Sequence, residues 1–253
     1  MAPWTQGIEV AWRPELRYYE ARIAILRDLE DAGDLAAFMV RDDAVYARLF
    51  DGDVELSVRQ NGLNLALHQP TGDFEESWKV ASAVLGRIKP SEPLGVTVRF
   101  QHVETVEMEF REAIEASSRA LLIPSYVGVA RLKDWAMLMD VEVVEGVDTT
   151  LEFGIVRAAE LPARLARMLG RISHEHRAAQ STWLGIEFPD VALFIDSAWV
   201  SKESSGEITD DLAGATLGLW AAARTEADML AEAMSSAIGR ECAAEQTREE
   251  RTA

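Results

Sequence analysis

Hydrophobic and polar residues alternate most regularly between residues 54 and 67. The apolar positions are Val54, Leu56, Val58, Leu63, Leu65 and Leu67. Because successive side chains of a strand point to opposite faces, this spacing predicts two half-buried β-strands. The dipeptide Asn61-Gly62 separates them and is typical of a two-residue hairpin turn, since both residues accept positive φ. Asp42-Asp43 and Asp51-Gly52 predict further turns of the same antiparallel meander.

A helical periodicity precedes and follows the meander. The first helix is predicted over Pro14–Asp31, because proline suits the first helical turn and apolar residues recur at spacings of three and four. Its predicted buried stripe is Leu16, Tyr19, Ile23 and Leu26. The second helix is predicted over Phe74–Lys89, where Asp73 and Glu76 form a capping box ahead of an apolar stripe that contains Trp78.

The chain after Pro93 repeats this theme of strands and helices. Strands are predicted at Leu94–Met108, Tyr126–Arg131, Trp135–Val144, Thr149–Arg157, Thr182–Phe188 and Val191–Trp199. Helices are predicted at Phe110–Leu121 and Leu161–Arg177, and the last two strands are expected to form a hairpin turned at Pro189-Asp190. A long terminal helix follows Thr209, and its apolar stripe comprises Leu212, Trp220, Ala223, Ala227, Leu230, Met234 and Ile238. We expect that stripe to pack on a sheet of the same chain, since neighbouring elements usually pack together.

These elements place the chain in the α+β class, as antiparallel β-meanders packed on helices, with the long C-terminal helix against the second sheet. Their order also suits a helix-grip layout, in which a curved sheet wraps the last helix. Pro90 and Pro93 mark a seam that divides the chain into a helix–meander–helix half (1–90) and a second α+β half (91–242). The polar residues 243–253 are expected to form a frayed tail.

The chain is strongly acidic, with 43 Asp and Glu residues against 25 Lys and Arg residues and a formal net charge of −18. A surface of this sign repels phosphate backbones, and no run of Lys and Arg exceeds two residues, so no nucleic-acid partner is expected. The charge either serves solubility or favours a basic protein partner.

Cys242 is the single cysteine, so no internal disulfide can form. Residues 1–10 lack the basic and apolar regions of a signal peptide, and no apolar run is long enough to span a bilayer. We therefore expect a cytoplasmic protein without a membrane partner.

Sequence signatures of catalysis are missing. The chain contains neither a glycine-rich phosphate loop nor the glycine-serine-glycine elbow of serine hydrolases. His174 and His176 are two residues apart, which in a helix places them on opposite sides, and no third ligand follows at a suitable spacing. We therefore predict neither a metal nor a cofactor.

One strand resembles part of a known protein family. The segment Val96–Val103, VTVRFQHV, is similar to a strand of the type valine-threonine-tyrosine-x-asparagine-histidine in a sporadically distributed bacterial family. His102 fits that pattern, whereas its tyrosine and asparagine are absent. Leu193–Asp196, followed by a long terminal helix, resembles the C-terminal half of the same family. The family is of α+β type and has no established activity, so the resemblance implies a fold and no mechanism.

Two hypotheses of function follow from these observations. The first is a non-enzymatic binding protein, such as an adaptor, immunity or regulatory factor, that acts through protein–protein contacts. The alternative is a small-molecule-binding or hydrolytic pocket between the sheet and the terminal helix, which requires polar groups that converge in an apolar cavity. Its candidate ligand-binding residues are His102, Asp196, Trp135 and Trp199, and no catalytic residue is assigned. A homo-oligomer is compatible with both hypotheses.

Overall fold

A computed structural model describes residues 3–31, 35–50, 54–68, 74–122, 135–144, 147–165, 186–202 and 212–252. Its strands are β1 (Thr5–Trp12), β2 (Leu35–Val40), β3 (Ala44–Leu49), β4 (Val54–Arg59), β5 (Gly62–His68), β6 (Pro93–Thr105), β7 (Ala136–Val144), β8 (Val147–Arg157) and β9 (Val191–Lys202). Its helices are α1 (Arg17–Asp31), α2 (Phe74–Ile88), α3 (Phe110–Leu121), α4 (Leu161–Leu165) and α5 (Leu212–Thr252). The predicted α+β class is confirmed.

The nine described strands form one antiparallel sheet in the order β2-β3-β4-β5-β1-β6-β9-β8-β7. The first strands of the two halves, β1 and β6, pair at its centre, and in each half the last strand pairs with the first. Each half thus runs through a strand, a helix, a meander and a helix. The two meanders belong to one continuous sheet, and the division into residues 1–90 and 91–242 stays a prediction.

β1 occupies the centre of the sheet, although the sequence predicts no element before Pro14. Ile8 lies opposite Leu65 of β5 on one edge and opposite Val98 of β6 on the other. Apolar residues alternate in this segment, but Gly7 and polar neighbours weaken the pattern. Hydrogen bonding on both edges and burial therefore stabilise β1 more than its intrinsic strand propensity does.

Strand alternation gives the sheet two faces of different character. The helix face carries Ile8 and Val98, and α1, α2, α3 and α5 pack on it to form the two larger hydrophobic clusters. The opposite face, here called the polar face, carries Gln101 and Asp196 near its centre. A smaller apolar cluster around Phe194, to which α4 contributes, covers part of the polar face.

Helix α1 buries a different side from the one that the sequence predicts. Tyr18, Ile25 and Leu29 are buried together with Leu26, whereas the other three residues of the predicted stripe (Leu16, Tyr19, Ile23) are exposed. Apolar residues occur on two sides of α1, so periodicity alone does not decide which side is buried. Packing against α2 and the sheet turns the side with Tyr18 and Ile25 inward.

The turn between β4 and β5 consists of Gln60 and Asn61, so the prediction of Asn61-Gly62 is wrong by one position. Gly62 is the first residue of β5 and lies opposite Arg59 in the ladder. Its φ is not positive, and a Cβ at this position would lie 3.0 Å from the carbonyl oxygen of Val10. The close approach of β1, and not the turn, is what requires glycine here.

The turn predicted at Asp42-Asp43 is confirmed. β2 ends at Val40, β3 begins at Ala44, and the Arg41 N–H donates to the Ala44 carbonyl oxygen over 2.8 Å. The turn predicted at Asp51-Gly52 lies outside the described residues.

The predicted hairpin of Thr182–Phe188 with Val191–Trp199 is wrong in its pairing. β9 pairs with β6 on one edge and with β8 on the other, so neither edge is open to a preceding strand. Residues 186–190 are not in a strand, and residues 182–185 lie outside the described part of the chain. The predicted strand at Tyr126–Arg131 and the predicted helix beyond Leu165 also fall outside it.

The terminal helix α5 has 41 residues and a length of about 60 Å at 1.5 Å per residue. Its predicted stripe faces the protein: Ala223 and Ala227 are buried in the larger cluster, and Leu230 packs against it. The helix therefore packs on the sheet of its own chain, as expected. It continues to Thr252, and the frayed tail over 243–253 stays a prediction. Among the helices that the structure describes, none has the length and apolar composition needed to cross a membrane.

Replacing Leu230 with aspartate is expected to lower the free energy of unfolding by at least about 2 kcal/mol, because an unpaired carboxylate would enter an apolar contact. Met229 is 59% exposed on the adjacent outer side of α5, so Met229→Asp serves as the matched control and should change stability little. Urea denaturation of both variants gives the comparison. Equal losses in the two variants would contradict the packing of α5 on the sheet.

Gly62→Ala is expected to destabilise the protein by about 1–3 kcal/mol, because the added Cβ would press on the Val10 carbonyl oxygen. Gly86→Ala, in the interior of α2, has no atom within 4 Å of the new Cβ and should stabilise by up to about 1 kcal/mol through helix propensity. Thermal melts of the two alanine variants should therefore shift in opposite directions. A rise in melting temperature for Gly62→Ala would sink this interpretation.

Candidate functional site

The structure distributes the four candidate residues over separate environments. In the pairing of β6 with β9, His102 lies opposite Ile195, while Asp196 lies opposite Gln101. His102 therefore points to the helix face and Asp196 to the polar face. Trp199 is buried in the larger core cluster, and Trp135 contacts α3. The structure thus brings none of the four candidates together in one site.

His102 belongs to a polar cluster between the sheet and α5, here called the His102 cluster. Its Nε2 lies 2.8 Å from Oδ1 of Asp228. Nε of Arg224 donates to Oδ2 of the same carboxylate over 2.8 Å, and Nη1 of Arg224 donates to Oε1 of Gln6 over 3.1 Å. The cluster thereby joins β1, β6 and α5. Arg224 and Asp228 are four residues apart, a spacing that favours an ion pair on a helix, but the sequence does not reveal that they reach β6.

The chemistry of the His102 cluster follows from burial. An ionised carboxylate only accepts hydrogen bonds, so Nε2 of the neutral ring carries the proton that points to Asp228. Nδ1 is buried and has no hydrogen-bond partner in the part of the chain that the structure describes. Burial lowers the pKa of His102, and this effect outweighs the opposing hydrogen bond to Asp228. The ring is therefore neutral at neutral pH and fastens α5 to the sheet.

Asp196 is the centre of a second network on the polar face. Nε of Arg99 donates to its Oδ1 over 2.6 Å, and Nε2 of Gln101 donates to its Oδ2 over 2.9 Å. Gln101 in turn accepts from the Thr5 hydroxyl over 2.6 Å. Burial disfavours the charge on Arg99, but the hydrogen bond and the charge of Asp196 raise the pKa of Arg99 above its ordinary value. Both carboxylate oxygens of Asp196 are thus engaged, which suits a structural ion pair better than a proton-transfer group.

Two further acidic residues on the polar face, Glu152 and Glu55, have basic partners that were not predicted from the sequence. Nη1 of Arg164, on α4, lies 2.8 Å from Oε1 of Glu152. Glu55 lies 3.3 Å from Arg48 and 3.9 Å from the buried His68. Burial raises the pKa of Glu55, but His68 and Arg48 together hold it below its ordinary value. The partners in these pairs lie on different strands or helices, so no sequence motif indicates that they meet.

The tryptophan candidates take part in packing. Trp199 is fully buried, and its Nε1 has no hydrogen-bond partner among the described residues. Nε1 of Trp135 donates to the Ser117 hydroxyl over 3.0 Å, and its ring packs edge-on against Phe153. Their role in ligand binding stays a prediction.

An open groove of about 250 Å³ lies between α1 and α2. Its lining residues are Ile25, Asp28, Leu29, Lys79, Val80, Ala83, Val84 and Arg87, which include none of the four candidates. No group of three or more potential metal ligands occurs within the described ranges, and His174 and His176 lie outside them.

Comparison with protein-family models and with curated proteins finds no match to this sequence.

Replacing His102 with glutamine should reduce the loss of stability on acidification. The unfolded chain takes up a proton at His102 near pH 6.5, whereas the folded protein resists it, so the neutral ring contributes stability above pH 6.5 that is lost as the pH falls below this value. Glutamine does not titrate and keeps an N–H for Asp228. The difference in unfolding free energy between wild type and variant should change by up to about 1.4 kcal/mol per pH unit as the pH falls below 6.5. Parallel pH profiles in urea denaturation would rule out this account.

Proposed function

We propose that this chain is a non-enzymatic protein-binding factor that docks a partner through one apolar surface formed by α1 and β2. The surface, called the α1–β2 surface below, includes Leu16, the residue immediately before α1, which is 82% exposed. Its other members are Tyr19, Ile23, Phe38 and Val40, whose exposed fractions are 43%, 46%, 62% and 38%. The proposal rests on one observation. Four of the eight large apolar side chains that are exposed in the described part of the chain belong to these two adjacent elements, and a fifth, Leu16, immediately precedes α1.

Helix geometry and strand register support a single surface. α1 and β2 are in contact, and Phe38 and Val40 lie opposite Ala47 and Val45, two residues of the helix face. Asp28 marks the side of α1 that meets α2, because it forms an ion pair with Arg87.

At 100° per residue, Tyr19 and Ile23 lie about 140–180° around the helix from Asp28, on the flank that faces away from α2. The exposed side chains of α1 and those of β2 therefore lie on the same side of the sheet, next to its β2 edge.

Exposed apolar side chains that are gathered in one place are characteristic of interaction sites, whereas scattered ones need no explanation. The three exposed apolar side chains outside the α1–β2 surface lie on three different elements: Leu94 on β6, Leu138 on β7 and Met229 on α5. The acidic character of the chain favours a basic partner, because complementary charges steer association.

The pocket hypothesis is the second candidate, because the His102 cluster lies where that pocket was expected, between the sheet and α5. Asp228 and Arg224 are partly exposed there. A ligand would have to replace hydrogen bonds that these side chains already make with one another. This requirement makes the protein-binding proposal the better supported one.

The double variant Ile23→Ser/Phe38→Ser should reduce partner binding at least about tenfold, which corresponds to about 1.4 kcal/mol. The measurement is quantitative mass spectrometry of proteins retained from a lysate of the source organism on immobilised wild type and variants. Leu94→Ser/Met229→Ser removes two equally exposed apolar side chains elsewhere and is the matched control.

Both variants should keep the wild-type melting temperature, because the substituted side chains are exposed. A partner that the control loses as strongly as the α1–β2 variant would refute the assignment of the surface. Retention of the same proteins at the same level by all three forms would refute the proposed function.

A further inference from the structure

We infer that β2 binds an extended, basic-ended segment of the partner as an additional β-strand. The inference rests on the proposed function and specifies the binding mode at the α1–β2 surface. The groups that would pair with this segment belong to the main chain of β2.

β2 is an outer strand of the described sheet, and no strand that the structure describes pairs with its outer edge. The hydrogen bond from Arg41 to Ala44 closes the hairpin with β3. Because hydrogen-bonded and non-hydrogen-bonded pairs alternate in an antiparallel ladder, Met39 bonds to β3, while the N–H and C=O groups of Phe38 and Val40 point away from it. Four main-chain groups at regular spacing thus face outward, as strand addition requires.

The sequence of β2 leaves this edge unprotected. Leu35–Val40 reads LAAFMV and contains no charged residue and no proline. β7, the outer strand at the other end of the described sheet, carries Asp140 on its exposed face. Charged side chains on outer strands are the usual protection against pairing with a further strand. β7 has such a charge and β2 has none.

The surrounding charge specifies the chemistry of the bound segment. Residues 30–43 contain five acidic residues and one basic residue. In the sequence, Glu30, Asp31 and Asp34 precede β2, and Asp42 and Asp43 follow it. The single cation, Arg41, lies over the ring of Tyr46. A complementary segment carries Lys or Arg at both ends. Between them, apolar side chains alternate so that one set lies beside Phe38 and Val40 on the helix face.

A second copy of this chain is the less suitable occupant. Antiparallel pairing of β2 with β2 would bring the acidic flank of one copy against the acidic flank of the other. Like charges placed opposite each other across a strand pair are destabilising. A basic segment of another protein avoids this repulsion and replaces it with attraction.

The test uses the full chain and a synthetic, end-capped peptide with the sequence Lys-Val-Thr-Val-Thr-Val-Lys. Amide hydrogen exchange measured by NMR should show at least about tenfold slower exchange of Phe38 and Val40 when the peptide is bound. The same peptide with glutamate at both ends should bind about tenfold more weakly at low salt and should lose this difference at high salt.

Two substitutions of one residue separate main-chain pairing from side-chain contact. Val40→Pro removes an outward N–H without breaking the ladder to β3 and should weaken peptide binding at least about tenfold. Val40→Thr keeps that N–H and a side chain of similar shape, so it should change affinity less than about threefold. Wild-type melting temperatures in both variants establish that the fold is intact.

The outcomes distinguish this inference from the proposed function. If Ile23→Ser/Phe38→Ser loses the partner while the peptide protects neither Phe38 nor Val40, strand addition is wrong and side-chain docking stands. Equal peptide affinities for Val40→Pro and Val40→Thr overturn strand addition as well. If light scattering detects a dimer that Val40→Pro abolishes, the occupant is a second copy and the basic segment is wrong.

Discussion

The pairing of β1 with β6 is the contact on which the other parts of the structure depend. β1 hydrogen-bonds to β5 on one edge and to β6 on the other, so it joins the two halves of the chain in one sheet. Its neighbouring residues Thr5 and Gln6 point to opposite faces, where Thr5 bonds to Gln101 in the Asp196 network and Gln6 bonds to Arg224 in the His102 cluster. One short strand therefore contributes a residue to both polar networks. Its close approach to β5 is also the reason why residue 62 is glycine.

Both polar networks are internally satisfied to a large extent, and this bears on function. Breaking the ion pair of Asp196 with Arg99 would leave an uncompensated charge on Asp196, which is buried, and such a loss is destabilising. His102 and Asp196, the polar candidates from the sequence, thus hold the strands and α5 in place. Chemistry at these positions would compete with the fold, whereas a surface at the periphery of the sheet leaves the networks undisturbed.

The outer edge of the sheet differs from the interior because its main-chain hydrogen-bonding groups and apolar side chains lack partners among the described residues. At β2 the outward main-chain groups of Phe38 and Val40 and the apolar side chains of α1 face solvent together, within an acidic segment of the chain. In the proposed binding mode, apolar contact, main-chain pairing and charge attraction involve the same few residues, and a separate substitution removes each of them. An edge strand of this composition is exposed to unwanted pairing unless a partner covers it or charge repulsion keeps copies apart, and the net charge of −18 supplies such repulsion.

The sequence by itself determined the features that arise from local periodicity and turn chemistry. The helix over Phe110–Leu121 and the start of α2 at Phe74 agree with the helices predicted from the sequence, and the turn at Asp42-Asp43 follows from residue type. Tertiary structure decided the central position of β1 and the side of α1 that is buried. It also decided the partner of His102, since Asp228 is 126 residues away in the chain. Periodicity states which residues can share a face, but only packing between distant segments selects the face that is buried and the groups that meet across it.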